Sequence, residues 1–63
     1  MCTYYVYRLT DRVVVAIIEG ESNDACETKA AEVFGDDFGA TYSPAFGAES
    51  GLIDNPDAEY VSA

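Results

Sequence analysis

The sequence predicts a small α+β domain in which one helix packs on an antiparallel sheet. Two neighbouring N-terminal stretches are rich in β-branched and aromatic residues, and the segment after them carries apolar residues at helical spacing. At 63 residues the chain has room for one modest core, because a domain of this size buries only about 60% of the surface that its unfolded chain exposes. We therefore predict a single acidic domain over residues 1–63 with the element order ββαβ, loop-rich from about 47 to 63.

The first two predicted strands, residues 2–9 and 13–19, form a β-hairpin. Alternation divides the first strand between two faces, with Tyr5, Tyr7 and Leu9 against Cys2, Tyr4, Val6 and Arg8. It divides the second strand in the same way, with Val13, Val15 and Ile17 against Val14, Ala16 and Ile18. Both faces of the hairpin are apolar, so we expect a helix to cover one face and the C-terminal segment or a partner to cover the other.

A helix is predicted over about residues 24–34. Ser22 or Asn23 is placed to accept a hydrogen bond from the free backbone amides at its start, and Gly35 is placed to end it in a left-handed conformation. Helical spacing puts four apolar residues on one stripe that packs on the hairpin, namely Cys26, Ala30, Val33 and Phe34. Phe34 is the expected main anchor of this stripe.

Beyond the helix the strand signals are weaker. Residues 40–44 predict a short third strand, which Pro44 ends or confines to an edge. The remainder carries glycines, a proline and scattered acidic residues, and it predicts loops with a candidate last strand at residues 59–61. The sheet is therefore expected to combine the N-terminal hairpin with the third strand.

Charge is the feature that most restricts function. Twelve acidic residues stand against two Arg and one Lys, which gives a formal net charge of -9. Residues 19–63 hold eleven of the acidic residues and only Lys29 as a base. Binding to phosphate groups needs Lys and Arg to displace counterions, so the composition excludes direct binding to nucleic acid or to an anionic membrane.

The sequence has no recognisable segment for membrane insertion or export. Its longest continuous apolar run, residues 13–18, is far shorter than the roughly 20 residues that span a bilayer. The start MCTYYVYRL has neither the basic region nor the apolar stretch of a signal peptide. We expect a cytoplasmic protein in which Cys2 and Cys26 stay reduced and form no disulfide.

The sequence offers little for catalysis. It contains no histidine, which excludes Ser-His and Cys-His mechanisms. Cys26 is interpreted as a core cysteine, because Asp24 and Glu27 oppose a reactive thiolate at the start of the helix. The acidic segments Asp36–Asp37 and Asp54–Asp57 lack the ligand pattern of a calcium loop. We predict a protein that is not an enzyme and that uses no metal or cofactor.

The acidic surface is the remaining candidate for function. Carboxylates on successive helical turns lie on the order of 5 to 6 Å apart, close to the roughly 7 Å between neighbouring phosphates of a nucleic-acid strand. A basic protein groove that binds DNA therefore suits such a surface. Six residues are the candidate partner contacts: Glu21, Asp24, Glu27, Glu32, Asp36 and Asp37.

Two other interpretations of the same sequence stay open. One is that the negative charge only keeps a small protein soluble and monomeric, and a monomer is the expected state. The other is a structural or assembly role through the tyrosines of the hairpin, Tyr4, Tyr5 and Tyr7.

In its length, its acidity and its lack of catalytic residues, the chain resembles the small acidic phage-encoded anti-CRISPR proteins that act as DNA mimics. The segment VVVAIIEGESNDACETKAAEVFGDDFGATYSPAFG is similar to those of short phage or mobile-element proteins. The resemblance implies a mechanism: an inhibitor that occupies the basic surface of a type I Cascade complex where target DNA and its PAM dock. It implies the PAM-recognising subunit as the partner and the host cytosol as the location, and it transfers no individual residue.

The same acidic surface would also suit an antitoxin, or a mimic directed at a restriction enzyme, a repressor or a nucleoid protein. The alternative in another class is an acidic structural or assembly protein of a phage or mobile element that interacts through its aromatic hairpin face.

Overall fold

The computed structural model describes residues 1–42, 44, 46–47 and 49–63. The regular elements in chain order are β1 (Cys2–Arg8), β2 (Val14–Gly20), α1 (Asn23–Phe34), a 3-10 turn (Gly35–Asp37), β3 (Phe38–Thr41) and β4 (Glu59–Ser62). The predicted hairpin, helix and last strand are thereby confirmed. The third strand begins and ends earlier than predicted, and Ser43 of the predicted span lies outside the described residues.

The strands form one sheet in the order β3-β1-β2-β4. β1 pairs antiparallel with both β2 and β3, which confirms the α+β class and the hairpin with a third strand. β4, the candidate last strand, pairs parallel with β2, so the complete sheet is mixed. The connection after β3 returns the chain to the start of β2, where Ile53 already pairs parallel with Val13, and β4 therefore runs in the direction of β2.

A β-bulge interrupts the hairpin. Val6 pairs with Ala16, but the next residue of β1, Tyr7, pairs with Val14, which leaves Val15 as an extra residue in β2. Val15 packs against the buried cluster under the helix, to which Ala16 belongs. Val14 is also buried, at 1% exposure, but it does not belong to that cluster. The predicted alternation is therefore wrong at Val15, because an inserted residue reverses the face of everything before it in the strand.

The helix covers one face of the hairpin. The buried cluster on that face contains Cys2, Val6, Ala16, Ile18 and Cys26. The side chain of Ser22 accepts a hydrogen bond from the Ala25 backbone N–H at 3.2 Å, as predicted for the start of the helix. At the other end Gly35 has a φ of 70° and its N–H bonds to the Ala31 carbonyl, which confirms the predicted stop.

The last turn of the helix does not bury the predicted pair of side chains. Val33 is 51% exposed, so its predicted burial is wrong. Phe34 is half-buried and meets Phe38 of β3 edge-on, with 5.4 Å between ring centroids. Val33 lies seven residues after the buried Cys26 and therefore on nearly the same helix face, but at the last turn of the helix the described residues leave it uncovered. Cys26, rather than Phe34, is the helix residue that is fully buried.

The C-terminal segment covers the opposite face of the hairpin, one of the two covers that the sequence predicts. The Phe46 ring lies 6.4 Å from the Tyr5 ring in an edge-on arrangement, and Leu52 is buried. The Asn55 amide donates a 3.0 Å hydrogen bond to the Val14 carbonyl. Between residue 49 and β4 the chain forms turns and isolated bridges.

Tyr7 lies directly over Gly39, its partner in β3. A Cβ added at Gly39 would fall 2.4 Å from the Tyr7 Cζ atom, so only glycine leaves room for the ring. On the same ring lies the Arg12 guanidinium, 5.9 Å from the centroid. The absence of a side chain at Gly39 thus leaves space for the Tyr7 ring, on which Arg12 lies, at the edge of the sheet.

We expect Gly39→Ala to lower the free energy of unfolding by about 1 to 3 kcal/mol, because the new methyl group overpacks the Tyr7 ring. Urea denaturation measures this loss. In a Tyr7→Ala background the same substitution should cost much less, since the ring is gone. An equal cost in both backgrounds would place the clash elsewhere.

Phe34→Ala and Val33→Ala form a matched pair. We expect Phe34→Ala to cost about 3 kcal/mol through the lost contact with Phe38, and Val33→Ala to stay within about 0.5 kcal/mol because that side chain is largely exposed. Urea denaturation of both variants checks the pair. A larger loss for Val33→Ala would show that the helix faces the sheet differently.

Candidate functional site

The acidic surface has few counter-charges. All twelve carboxylates of the chain are exposed. Arg8 forms a 2.9 Å salt bridge with Asp11 inside the hairpin turn, and Arg12 lies over Tyr7. The pKa of Asp11 lies below its usual value, first because the Val13 backbone N–H donates to its carboxylate and then because of Arg8. Both arginines thus contact side chains of the hairpin and not the carboxylates of the helix.

The side of the helix next to β4 combines acidic residues with the one lysine. Asp24, Thr28 and Glu32 follow at intervals of four residues and therefore lie on one helix face. With Lys29 and Ala63 they line a shallow groove of about 400 Å³. Lys29 is half-buried there and offsets part of the negative charge.

The opposite side of the helix, next to β3, carries Glu27. Positions 27 and 34 are seven residues apart, so both side chains lie on nearly the same helix face. Phe38 of β3 and Tyr42 just after it are four residues apart, so both side chains lie on the same face of the sheet. Phe34 meets Phe38 edge-on, and Glu27 contributes to the raised pKa of Tyr42.

The rings of Tyr4 and Tyr42 form a pair. The ring centroids of Tyr42 and Tyr4 are 4.5 Å apart, with a 42° tilt between the planes. Desolvation first, and then the adjacent Glu27 carboxylate, raise the pKa of Tyr42 to about 12. The pKa of Tyr4 is raised by burial first and by Glu27 second. Both hydroxyls are therefore neutral at physiological pH.

The remaining predicted contacts lie at the two ends of the helix. Glu21 precedes the capping residue Ser22, whereas Asp36 and Asp37 belong to the 3-10 turn after Phe34. The six predicted residues are all exposed, but the structure divides them between two helix sides and two helix ends. It brings Asp24 and Glu32 together around one groove and separates both from Glu27.

Sequence reasoning missed Tyr42 as a neighbour of Glu27. Tyr42 was expected only as part of the third strand, and Tyr4 only as part of an aromatic hairpin face. The available signal was the pair of spacings, seven residues from Glu27 to Phe34 and four from Phe38 to Tyr42. That signal becomes informative only once the helix is known to lie on β1 and β2 with one side towards β3.

The two cysteines are free and buried. The Cys26 Sγ atom lies 3.6 Å from the Cys2 carbonyl oxygen and 3.8 Å from that of Ile18. Burial first, and then the neighbouring Cys2, raise the pKa of the Cys26 thiol, which agrees with a core cysteine. Within residues 1–42, 44, 46–47 and 49–63, no group of three or more His, Cys, Asp and Glu side chains is placed to hold a metal ion.

A second surface groove lies on the C-terminal segment. It has a volume of about 450 Å³ and is lined mainly by apolar atoms of Phe46, Leu52 and Ile53, with Asp54 at its rim. Phe46 is 44% exposed and Ile53 is 53% exposed.

No helix in the described part of the chain is long and apolar enough to cross a membrane. Comparison with known protein families, with curated proteins and with solved structures finds no match to this chain.

We expect Tyr42 to ionise near pH 12 and Glu27→Gln to shift this ionisation to lower pH. The pKa of Tyr42 in the folded state is raised above the usual 10. The contribution of neutral Tyr42 to the free energy of unfolding is therefore fully present below pH 10 and is lost as the pH rises towards 12. NMR titration of the tyrosine rings measures the midpoint. Glu32→Gln is the control, and an equal shift in that variant would contradict a local effect of Glu27.

Proposed function

We propose that this protein is a non-catalytic binding protein whose acidic helix and its two ends dock on a Lys/Arg-rich protein surface that otherwise holds nucleic acid. The observation that carries the proposal is the exposure of all six predicted carboxylates around one short helix, while both arginines are engaged at the hairpin turn. Such a surface attracts basic partners over about 8 Å at physiological ionic strength.

The distribution of the carboxylates supports a nucleic-acid-like surface. Asp24, Glu32 and the 3-10 turn place negative charges along the helix axis at intervals of one to a few turns. No side chain in the described residues is both charged and buried, so every described charged group is accessible to a partner. Electrostatic complementarity of this kind determines association rate and partner choice more than it determines raw affinity.

A type I Cascade complex is the first partner to test, because the resemblance to small acidic anti-CRISPR proteins points to its DNA- and PAM-binding surface. In that interpretation the protein blocks recognition of target DNA by occupying the site of the PAM-recognising subunit. Other basic nucleic-acid-binding proteins, such as a restriction enzyme or a repressor, belong in the same experiment as further candidates.

A structural or assembly role is the second candidate. Its support is the exposed apolar surface on the C-terminal segment and on β4, where Tyr60 is 71% exposed. The hairpin tyrosines themselves offer less surface than the sequence suggests, because Tyr5 contacts Phe46 and Tyr7 lies over Gly39. This role predicts binding that is insensitive to salt, whereas binding through the acidic helix weakens as salt rises.

Reversing three helix-side charges should abolish binding without unfolding the protein. We expect Asp24→Lys, Glu32→Lys and Asp36→Lys together to weaken competition with DNA at least about tenfold, because close charge pairs at interfaces couple by about 1.5 kcal/mol or more. Three replacements of +2 each change the net charge from -9 to -3. Stability should hold, because these side chains are exposed and like-charge repulsion falls.

The matched control is the triple variant Glu49→Lys, Asp54→Lys and Asp57→Lys, which makes the same charge change on the C-terminal segment. DNA-competition assays on purified Cascade and on the other basic proteins, with thermal melts in parallel, compare the two variants. Equal losses in both would mean that net charge acts without a defined surface. Unimpaired competition by the helix variant would contradict the proposal.

A further inference from the structure

We propose that the outer edge of β4 binds an extended, basic segment of the partner protein as an added strand of the sheet. This inference rests on the proposed function and specifies how the partner is held. β4 is an end strand of the sheet, and β2 is its neighbour in the described part of the chain. An end strand presents a row of unpaired backbone N–H and C=O groups, which an extended peptide can bind.

The pairing of β4 shows which of its backbone groups face outwards. The Ala63 N–H donates a 2.8 Å hydrogen bond to the Glu19 carbonyl of β2, so the N–H of Ala63 faces β2. Backbone groups of successive strand residues point to alternate sides, which directs those of Ser62 and Tyr60 away from β2. No strand of the described sheet lies on that outer side. Each of these two residues therefore offers one N–H donor and one carbonyl acceptor to an added strand.

The two faces of the sheet differ at this edge. Val61 packs against the buried cluster under the helix, so its side of β4 faces α1. On that side the groove of about 400 Å³ is lined by Asp24 and Glu32 together with Ala63. Tyr60 points to the opposite face and is 71% exposed. An added strand therefore places its side chains alternately beside carboxylates and beside an exposed aromatic ring.

Charge selects a basic segment and disfavours a second copy of this chain. Glu59 of β4 is exposed, and Lys29 is the one base among the residues described around the groove with Asp24 and Glu32. Two copies paired through β4 would bring these carboxylates together, and each copy has a net charge of -9. A segment with Lys or Arg at alternate positions directs its cations towards the carboxylates and its remaining side chains towards Tyr60.

The other end strand, β3, suits a basic segment less well. The Tyr7 ring lies over Gly39 of β3, and the Arg12 guanidinium lies on that ring, 5.9 Å from its centroid. A cation close to this edge repels the Lys and Arg side chains of an approaching segment. Of the two end strands, β4 is therefore the one with the more favourable charge.

Four synthetic peptides with one alternating Lys-Val sequence and one charge test the inference in NMR titrations. The first is unmodified, the second is N-methylated at the lysine amides, the third at the valine amides and the fourth at all amides. We expect the fully methylated peptide to bind at least about tenfold more weakly than the unmodified one, because it cannot donate to a strand edge. At least one half-methylated peptide should keep its affinity, since it retains a complete set of amides along one edge. The unmodified peptide should shift the Tyr60 and Ser62 amide resonances.

The proposed function requires only that the peptides bind with salt-dependent affinity. Equal affinities of the unmodified and fully methylated peptides would overturn the added strand and leave the proposed function standing. Equal losses in all three methylated peptides would also contradict pairing through one edge. Binding of none of the four would overturn both proposals. Concentration-dependent shifts of the Tyr60 and Ser62 amides in the protein alone would identify a second copy as the occupant and overturn the assignment to a basic partner.

Ser62→Pro and Ser62→Ala are the matched protein variants. Proline is accepted where a strand N–H faces away from the sheet, so Ser62→Pro removes the outward donor and leaves the Ala63 bond to β2 in place. Affinity for the unmodified peptide should fall at least about threefold in Ser62→Pro and stay unchanged in Ser62→Ala. Thermal melts check that both variants fold, and the peptide series decides the question if Ser62→Pro does not. Equal affinities of two folded variants would overturn the assignment to β4.

Discussion

The hairpin of β1 and β2 is apolar on both faces, and the need to cover both with a short chain governs the rest of the fold. The helix covers one face through Cys26, whose Sγ atom approaches the Cys2 and Ile18 carbonyls within 3.6 and 3.8 Å. The C-terminal segment covers the other through Leu52. All twelve carboxylates lie at the surface, outside both of these packed faces.

The position of the helix across β1 and β2 creates two helix sides with different chemistry. Towards β4 the acidic residues share their surroundings with Lys29, which reduces the local charge. Towards β3 the helix carries Glu27 and Phe34, and the rings of Tyr42 and Tyr4 lie 4.5 Å apart. The two sides of one short helix therefore differ in both charge and aromatic content.

Local rules were sufficient for much of the fold. The strands of the hairpin, the capping role of Ser22 and the stop at Gly35 follow from side-chain and backbone preferences within a few residues. The bulge at Val15 and the parallel pairing of β4 were not predictable in this way. Both depend on how separate strands align, and the sequence of either strand taken alone does not encode that alignment.

By itself the sequence determined the amount and sign of the charge, the lack of histidine and the location of the helix, since these depend on composition or on short-range periodicity. Only the tertiary structure decided that Val33 is exposed, that Phe34 contacts Phe38 and that Tyr42 lies against Tyr4. The reason is physical: helical periodicity states which side chains share a face, but packing against a particular strand decides what that face meets.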